Sequence, residues 1–217
     1  MGCCYSAAVD LAKIENAQFV GLPVCWSGLA NVTGEVNLVK TRKNSSTLQD
    51  SAGNVLLNVE VNEKANFVQF IDPRTGNTVV LLGPPQRPSL FSKKPVVWSV
   101  WTAEPIITGA ISEGTPIGVA MYRLGFFKKS KATSAPLEFV DSSPNETKLS
   151  MVKQKSGSDV VVYSPDGTHT AAVIQKIRWP AYSRGKCTFA KGVDPVVSIL
   201  MAMSIIDMNA EYAAPAV

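Results

Sequence analysis

One segment near the C-terminus restricts the fold of this chain more than any other, because it is apolar on every face of a helix. Asp194 and Pro195 open the segment, and no charged residue follows them until Asp207. Asp194 suits the N-cap position, where a carboxylate accepts hydrogen bonds from free backbone N–H groups. Pro195 suits the first helical position, where a missing N–H costs nothing. A helix without a polar face must be surrounded by apolar groups, in a protein core or in a membrane.

The same segment is too short to cross a membrane. The uncharged run from Pro195 to Ile206 holds 12 residues, and a helix of that size is about 18 Å long. A transmembrane helix needs roughly 20 residues, and the carboxylates of Asp194 and Asp207 would be costly inside hydrocarbon. We therefore expect a helix enclosed by a closed β-barrel, with inward-facing strand residues on all sides.

The preceding part of the chain consists of short runs rich in Val, Ile, Thr and aromatic residues, which is typical of strands. Turn signals that combine Asp with Gly separate several of them, at residues 50–54, 72–77 and 164–167. This spacing favours antiparallel strands in a sandwich or barrel over a parallel α/β sheet. The predicted strands are Glu35–Lys40, Asn54–Val61, Phe67–Ile71, Thr78–Leu82, Val96–Trp101, Pro116–Tyr122, Leu137–Val140, Lys148–Gln154, Asp159–Tyr163 and Thr170–Arg178.

Four segments carry a resemblance to a known superfamily: residues 51–57, 114–118, 171–177 and, most specifically, 190–200. The chain resembles the tubby C-terminal-like superfamily and is most similar to its LURP-one-related proteins, with phospholipid scramblases as neighbours. The resemblance implies a mainly β fold, in which a closed antiparallel barrel of about twelve strands encloses a C-terminal hydrophobic helix.

The resemblance also divides the chain. We expect a barrel domain over residues 34–210, preceded by a lipid-anchor segment and linker over residues 1–33 and followed by a tail over residues 211–217. Small residues and several glycines in residues 7–34 indicate a loosely packed lead-in.

The first six residues read as a lipid-anchor signal. Gly2 and Ser6 fit the N-myristoylation pattern, and Cys3 and Cys4 are candidates for S-palmitoylation beside the membrane. A single myristoyl chain binds membranes only marginally and reversibly, so that a second chain is needed for stable anchoring. No secretory signal peptide is predicted at residues 1–20.

The charge of the chain is unevenly distributed, although the net charge is only +4. Residues 121–191 hold 12 basic and 5 acidic side chains. Among them, Lys128, Lys129 and Lys131 follow two phenylalanines, a pattern that suits an anionic membrane surface. These three lysines are the candidate lipid-headgroup site, with Lys40, Arg42 and Lys43 next. The alternative is a solvated loop after a buried strand.

Few residues suggest catalysis. His169 is the only histidine, and no nucleophile motif accompanies it. Cys25 and Cys187 are expected to be free thiols in a reducing compartment. We expect no catalytic residue, no cofactor and no metal site, and the mild charge without a recognition motif argues against nucleic-acid binding.

The sequence thus predicts a lipid-anchored, non-enzymatic binding or adaptor protein at the cytoplasmic face of a membrane, with the plasma membrane as the expected one. Its expected ligands are anionic phospholipids or phosphoinositides, besides a protein partner that the sequence does not identify. The alternative is a scramblase-like protein acting on membrane lipids. Scramblases, as the resemblance implies, have an acidic calcium-binding segment before the last helix, whereas residues 182–191 are basic.

Overall fold

The structure is a computed structural model. It describes residues 14, 17–20, 22, 24–62, 67–83, 96–102, 116–122, 137–141, 148–153, 160–164, 166, 168–175 and 184–212.

The described residues form twelve antiparallel strands and one long helix, which confirms a mainly β architecture with a C-terminal helix. Each strand pairs with the next one in the chain, and β12 also pairs with β1, with Gly34 opposite Phe189. The strands are β1 Gly34–Arg42, β2 Ser45–Asp50, β3 Val55–Asn62, β4 Phe67–Ile71, β5 Thr78–Leu82, β6 Val96–Thr102, β7 Pro116–Tyr122, β8 Leu137–Asp141, β9 Lys148–Lys153, β10 Val160–Tyr163, β11 Thr170–Gln175 and β12 Arg184–Phe189.

Two of these strands were not predicted from the sequence. β2 and β12 are rich in Ser, Thr, Lys and Gly rather than in β-branched apolar residues. Leu48 in β2 and Cys187 in β12 nevertheless point into the core and are fully or almost fully buried. Pairing with β1 on either side holds both strands in the sheet, so that position in the sheet outweighs their weak intrinsic preference.

The C-terminal helix, α1, spans Pro195–Tyr212 and begins where the sequence predicts. The backbone N–H of Val196 donates to the Asp194 carboxylate over 2.8 Å, which confirms Asp194 as the N-cap. Every residue from Val196 to Met203 is buried. The helix contacts β8, β11 and β12, so its apolar surface forms part of the protein core.

The lead-in differs from the prediction of loose packing. Ile14, Leu22, Cys25, Trp26 and Leu29 are each at most 8% exposed and belong to the same core cluster as the strands. A short 3-10 helix, Ser27–Leu29, lies within this segment. The small residues and glycines around these side chains concealed a segment that contributes large apolar groups to the core.

The up-and-down order of the strands gives the sheet two distinct ends. At the end that we call the helix end, β1 begins at Gly34 and β12 finishes at Phe189, shortly before α1 starts. At the end that we call the far end, β1 finishes at Arg42 and β2 begins at Ser45. Because consecutive strands are antiparallel, every odd-numbered strand runs from the helix end to the far end.

Candidate functional site

The lead-in is attached to the helix end by backbone hydrogen bonds. The N–H of Phe19 donates to the carbonyl of Lys191 over 2.8 Å, and the N–H of Lys191 donates to the carbonyl of Ala17 over 3.2 Å. Gln18 and Lys191 form a parallel β-bridge. Residues 17–19 therefore lie at the helix end.

Gly192 allows this close approach. Its φ is +86°, a left-handed conformation that favours glycine. A Cβ atom at this position would collide with the backbone carbonyl of Phe19. The lead-in can pass over this turn only because residue 192 has no side chain.

Asp194 joins the lead-in to the start of α1. One carboxylate oxygen accepts from the N–H of Cys25 over 2.6 Å, and the other accepts from the N–H of Val196 over 2.8 Å. Burial raises the pKa of Asp194 to about 6, although the backbone N–H donors around the carboxylate act to lower it. One side chain thus caps the helix and fixes the lead-in at the same time.

A cavity of about 150 Å³ lies beside Asp194, between the lead-in and the turn that precedes α1. Trp26, Leu29 and Val32 contribute apolar walls, and Gly192 and Asp194 close the other side. The carboxylate in this wall already accepts hydrogen bonds from the backbone, so the cavity presents mainly apolar surface.

Cys25 and Cys187 are free thiols, as the sequence predicts, and both are buried in the structure. Burial, followed by the negative charge of Asp194, raises the pKa of both thiols. The reactive thiolate form is therefore disfavoured at both positions.

The histidine lies in the β10–β11 turn at the helix end and is exposed. Its Nδ1 is 2.6 Å from the Thr168 hydroxyl and 3.9 Å from an oxygen of the Asp166 carboxylate. The hydroxyl of Ser164 donates to that carboxylate rather than to the ring of His169. These contacts organise a turn and hold the pKa of Asp166 well below its usual range.

At the far end, the β1–β2 hairpin presents basic residues to solvent. Lys40, Arg42 and Lys43 are all exposed. The strand register shifts between Lys40 and Arg42, a bulge-type irregularity next to the turn. These three residues, which the sequence offers as the next candidate for headgroup binding, therefore form an exposed basic group at the far end.

The candidate lipid-headgroup site lies outside the described residues, since none of Lys128, Lys129 and Lys131 is among them. These lysines lie in the sequence between β7 and β8. These two strands pair with each other, and Tyr122 lies opposite Leu137. Tyr122 is the last residue of an odd-numbered strand, so this connection joins two strands at the far end.

The connections at the two ends of the sheet differ strongly in charge. By sequence, the segments that connect strands at the far end hold 12 basic and 2 acidic residues, and those that connect strands at the helix end hold 2 basic and 6 acidic residues; most of these residues lie outside the described ones. The far-end connections are residues 43–44, 63–66, 83–95, 123–136, 154–159 and 176–183, and the helix-end ones are residues 51–54, 72–77, 103–115, 142–147, 164–169 and 190–194.

The predicted lipidation residues Gly2, Cys3 and Cys4 also lie outside the described residues. Among the described His, Cys, Asp and Glu residues, no group of three or more is arranged to hold a metal ion. Within the described ranges, no helix combines the length and apolar composition needed to span a bilayer.

Sequence reasoning missed the contribution of the lead-in to the helix end. The signal that was available is the cluster of large apolar residues Phe19, Leu22, Val24 and Trp26. Gly21 and Pro23 interrupt this cluster, so it shows no strand or helix period.

Comparison with known proteins supports the fold alone. No family model matches the sequence, and no curated protein matches it. The chain is similar to the X-ray structure of a protein from Arabidopsis thaliana, AT5G01750, with a TM-score of 0.52 and 15% sequence identity. The match covers 86% of this chain and 98% of the plant protein, so the two proteins share a fold over most of their length.

Proposed function

We propose that this chain is a lipid-anchored, non-enzymatic binding or adaptor protein at the cytoplasmic face of a membrane, with anionic phospholipids or phosphoinositides as ligands. The observation that carries the proposal is the N-terminal sequence, in which Gly2 and Ser6 fit N-myristoylation and Cys3 and Cys4 offer sites for a second acyl chain.

We further propose that the strands form a closed barrel around α1 and that the chain is a LURP-one-related member of the tubby-like superfamily. The pairing of β12 with β1 and the burial of residues 196–203 support this proposal. The likeness to the plant protein supports it at the level of the fold.

The headgroup-binding role of Lys128, Lys129 and Lys131 remains a proposal. Its support is that these lysines belong to a connection between two strand ends at the far end, where basic residues outnumber acidic ones. Each basic residue close to an anionic leaflet contributes about 1 kcal/mol.

The anchor is tested by membrane fractionation of cells that express the full chain. We expect Gly2→Ala to move the protein to the soluble fraction, because the variant lacks the glycine that carries the myristoyl chain. Cys3→Ser/Cys4→Ser should leave a weakly and reversibly bound protein, because one chain gives a partition constant on the order of 10⁴ M⁻¹. A Gly2→Ala protein that stays in the membrane pellet after a carbonate wash would refute the anchor.

Lipid-binding measurements need a protein that keeps the buried residues of the lead-in. A chain that begins near residue 30 would lack Ile14, Leu22, Trp26 and other core residues, and we expect it to be unstable. The full-length Gly2→Ala protein keeps these residues and lacks only the anchor.

A further inference from the structure

We propose that Thr41 in the β1–β2 hairpin is a phosphorylation site, which a serine/threonine kinase selective for basic substrates modifies at the hydroxyl oxygen. The assignment rests on the exposure of Thr41, on its place at an irregularity of β1 and on the positive charges around it. It goes beyond the proposed anchor and headgroup binding and depends on neither of them.

Thr41 is the residue at which the pairing of β1 with β2 is interrupted. Lys40 and Arg42 lie opposite consecutive residues of β2, so Thr41 between them has no residue opposite it. The extra residue of such an irregularity is left outside the ladder of hydrogen bonds. On the other side of β1, the pairing with β12 ends at Val39. Within the described strands, Thr41 therefore lacks a cross-strand partner on either side.

The hydroxyl of Thr41 is accessible and makes no competing contact. Thr41 is exposed, and its hydroxyl has no hydrogen-bond partner in the part of the chain that the structure describes. Two exposed threonines in other turns differ in this respect. The hydroxyl of Thr75 accepts from the N–H of Asn77. That of Thr168 donates to the Asp166 carboxylate. An acceptor hydroxyl must leave its own contacts to react in a kinase, so Thr41 is the more available nucleophile.

Positive charges surround this hydroxyl. Lys40 and Arg42 are the neighbours of Thr41 in the chain, Lys43 follows in the turn, and all three basic side chains are exposed. Neither Lys40 nor Arg42 forms an ion pair with a described carboxylate. Their charges are therefore available to carboxylates in the peptide groove of a kinase, and such charge patterns are a means by which kinases select their substrates.

The exposed carboxylate of Glu60 lies at the same end and favours Thr41 over Ser45 as the acceptor. Glu60 in β3 lies directly opposite Ser45, which is only half-exposed. Side chains in such a pair are about 5 Å apart, so a phosphate on Ser45 would be next to a negative charge. β3 is two strand spacings, about 10 Å, from β1. Screening over roughly 8 Å weakens the effect of Glu60 on Thr41.

The modification transfers the γ-phosphoryl group of ATP. The hydroxyl oxygen of Thr41 forms a bond to the γ-phosphorus, the bond from that phosphorus to the bridging oxygen breaks, and ADP leaves. The hydroxyl proton passes to the catalytic aspartate of the kinase. The new phosphate carries about −1.5 to −2 charges at pH 7. It therefore offsets most of the positive charge of Lys40 and Arg42, whose side chains can donate charge-assisted hydrogen bonds to it.

The first experiment locates the phosphate. The full-length Gly2→Ala protein is incubated with ATP and the isolated catalytic domain of protein kinase C, which selects acceptors with basic residues on both sides. Cleavage by a protease specific for glutamate releases residues 36–60 for mass spectrometry. We expect one phosphate on this fragment, at Thr41. Thr41→Val should abolish it, whereas Ser45→Ala, the matched control, should keep it.

The second experiment measures the dependence on charge. We expect Lys40→Gln/Arg42→Gln to lower kcat/KM for phosphorylation of Thr41 by about tenfold, because two ion pairs with the kinase are lost. The matched control is Glu60→Gln, which removes an exposed charge of the opposite sign at the same end. It should change kcat/KM by less than about twofold, because the carboxylate is screened at this distance. Thermal melting verifies that all variants are folded.

Three results of the first experiment would overturn the assignment. They are an unmodified fragment 36–60 while a basic control peptide is phosphorylated, a phosphate that persists in Thr41→Val, and a phosphate on Ser45 instead. In the second experiment, an unchanged kcat/KM in Lys40→Gln/Arg42→Gln would show that the basic residues do not define the site. Neither experiment involves acylation or lipid, so these results and those that test the proposed anchor are distinguishable.

Discussion

At the scale of single residues, Asp194 connects two parts of the helix end. It caps α1 and holds the lead-in through the N–H of Cys25. The sequence identified the capping role, because an Asp-Pro pair before an apolar run is a local signal. The second role depends on a contact between residues 169 positions apart in the chain, which a local pattern does not reveal.

Asp194 should make stability depend on pH. Its pKa is about 6 in the folded protein and about 3.9 in an unfolded chain. Between these values the folded form binds more protons, so the free energy of unfolding falls as the pH rises. The loss is about 3 kcal/mol over the whole window and about 1 kcal/mol between pH 5 and pH 7. Urea denaturation at these two pH values measures it.

The control for this prediction is Asp194→Asn, which removes the titrating group and should flatten the dependence between pH 5 and pH 7. Asp50, Asp72 and Asp166 do not interfere, because their lowered pKa values place their loss of stability at more acidic pH. An equal slope in wild type and in Asp194→Asn would show that another group is responsible.

Gly192 and Gly53 form a matched pair for a second prediction. Both have a positive φ, +86° and +87°, so Ala costs about 1–2 kcal/mol at either position. A Cβ at residue 192 also meets the carbonyl of Phe19, whereas one at residue 53 meets nothing. We expect Gly192→Ala to lower the melting temperature clearly more than Gly53→Ala does. Equal effects would show that the lead-in is not tightly packed over this turn.

At the scale of elements, α1 requires apolar surroundings, because every residue from Val196 to Met203 is buried. Leu200 is 1% exposed. We expect Leu200→Asp to destabilise the protein by several kcal/mol, because it buries a charge without a partner. Val20, which is 89% exposed, provides the control, and Val20→Asp should change stability by less than about 0.5 kcal/mol. Unchanged thermal melting of a monomeric Leu200→Asp protein would exclude an enclosed helix.

The elements differ in how far their sequences predict them. Phe67–Ile71, Thr78–Leu82 and Pro116–Tyr122 were predicted with the bounds that the structure has, because apolar β-formers lie between strong turn signals. β2 and β12 were missed, because they owe their conformation to pairing with β1 rather than to their own composition. The lead-in was misread for the same reason, since its burial depends on distant partners such as Lys191 and Asp194.

At the scale of the whole molecule, the strand order gives the two ends of the sheet connections of different charge. The sequence shows an excess of basic residues in its later part, and the strand order assigns basic connections to one end of the sheet and acidic ones to the other. The attachment of the lead-in to Lys191 shows that Ala17 and Phe19 lie at the helix end, which no local pattern of the sequence indicates.

The last prediction concerns the three lysines between β7 and β8. In the full-length Gly2→Ala protein, replacing Lys128, Lys129 and Lys131 by Gln should weaken binding to phosphatidylserine vesicles by up to about 3 kcal/mol. Binding by the parent protein should fall as salt is added, since charges are screened over roughly 8 Å at physiological ionic strength.

Calcium should neither strengthen this binding nor stimulate lipid flipping, because residues 182–191 are basic where the scramblase resemblance implies an acidic segment. Calcium-stimulated flipping by the purified full-length protein would favour the scramblase alternative. If binding is instead unchanged after loss of the three lysines, the β7–β8 connection is not the headgroup site. The basic surface of the far end would then depend on Lys40, Arg42 and Lys43, which are exposed at the end of β1 and in the β1–β2 turn.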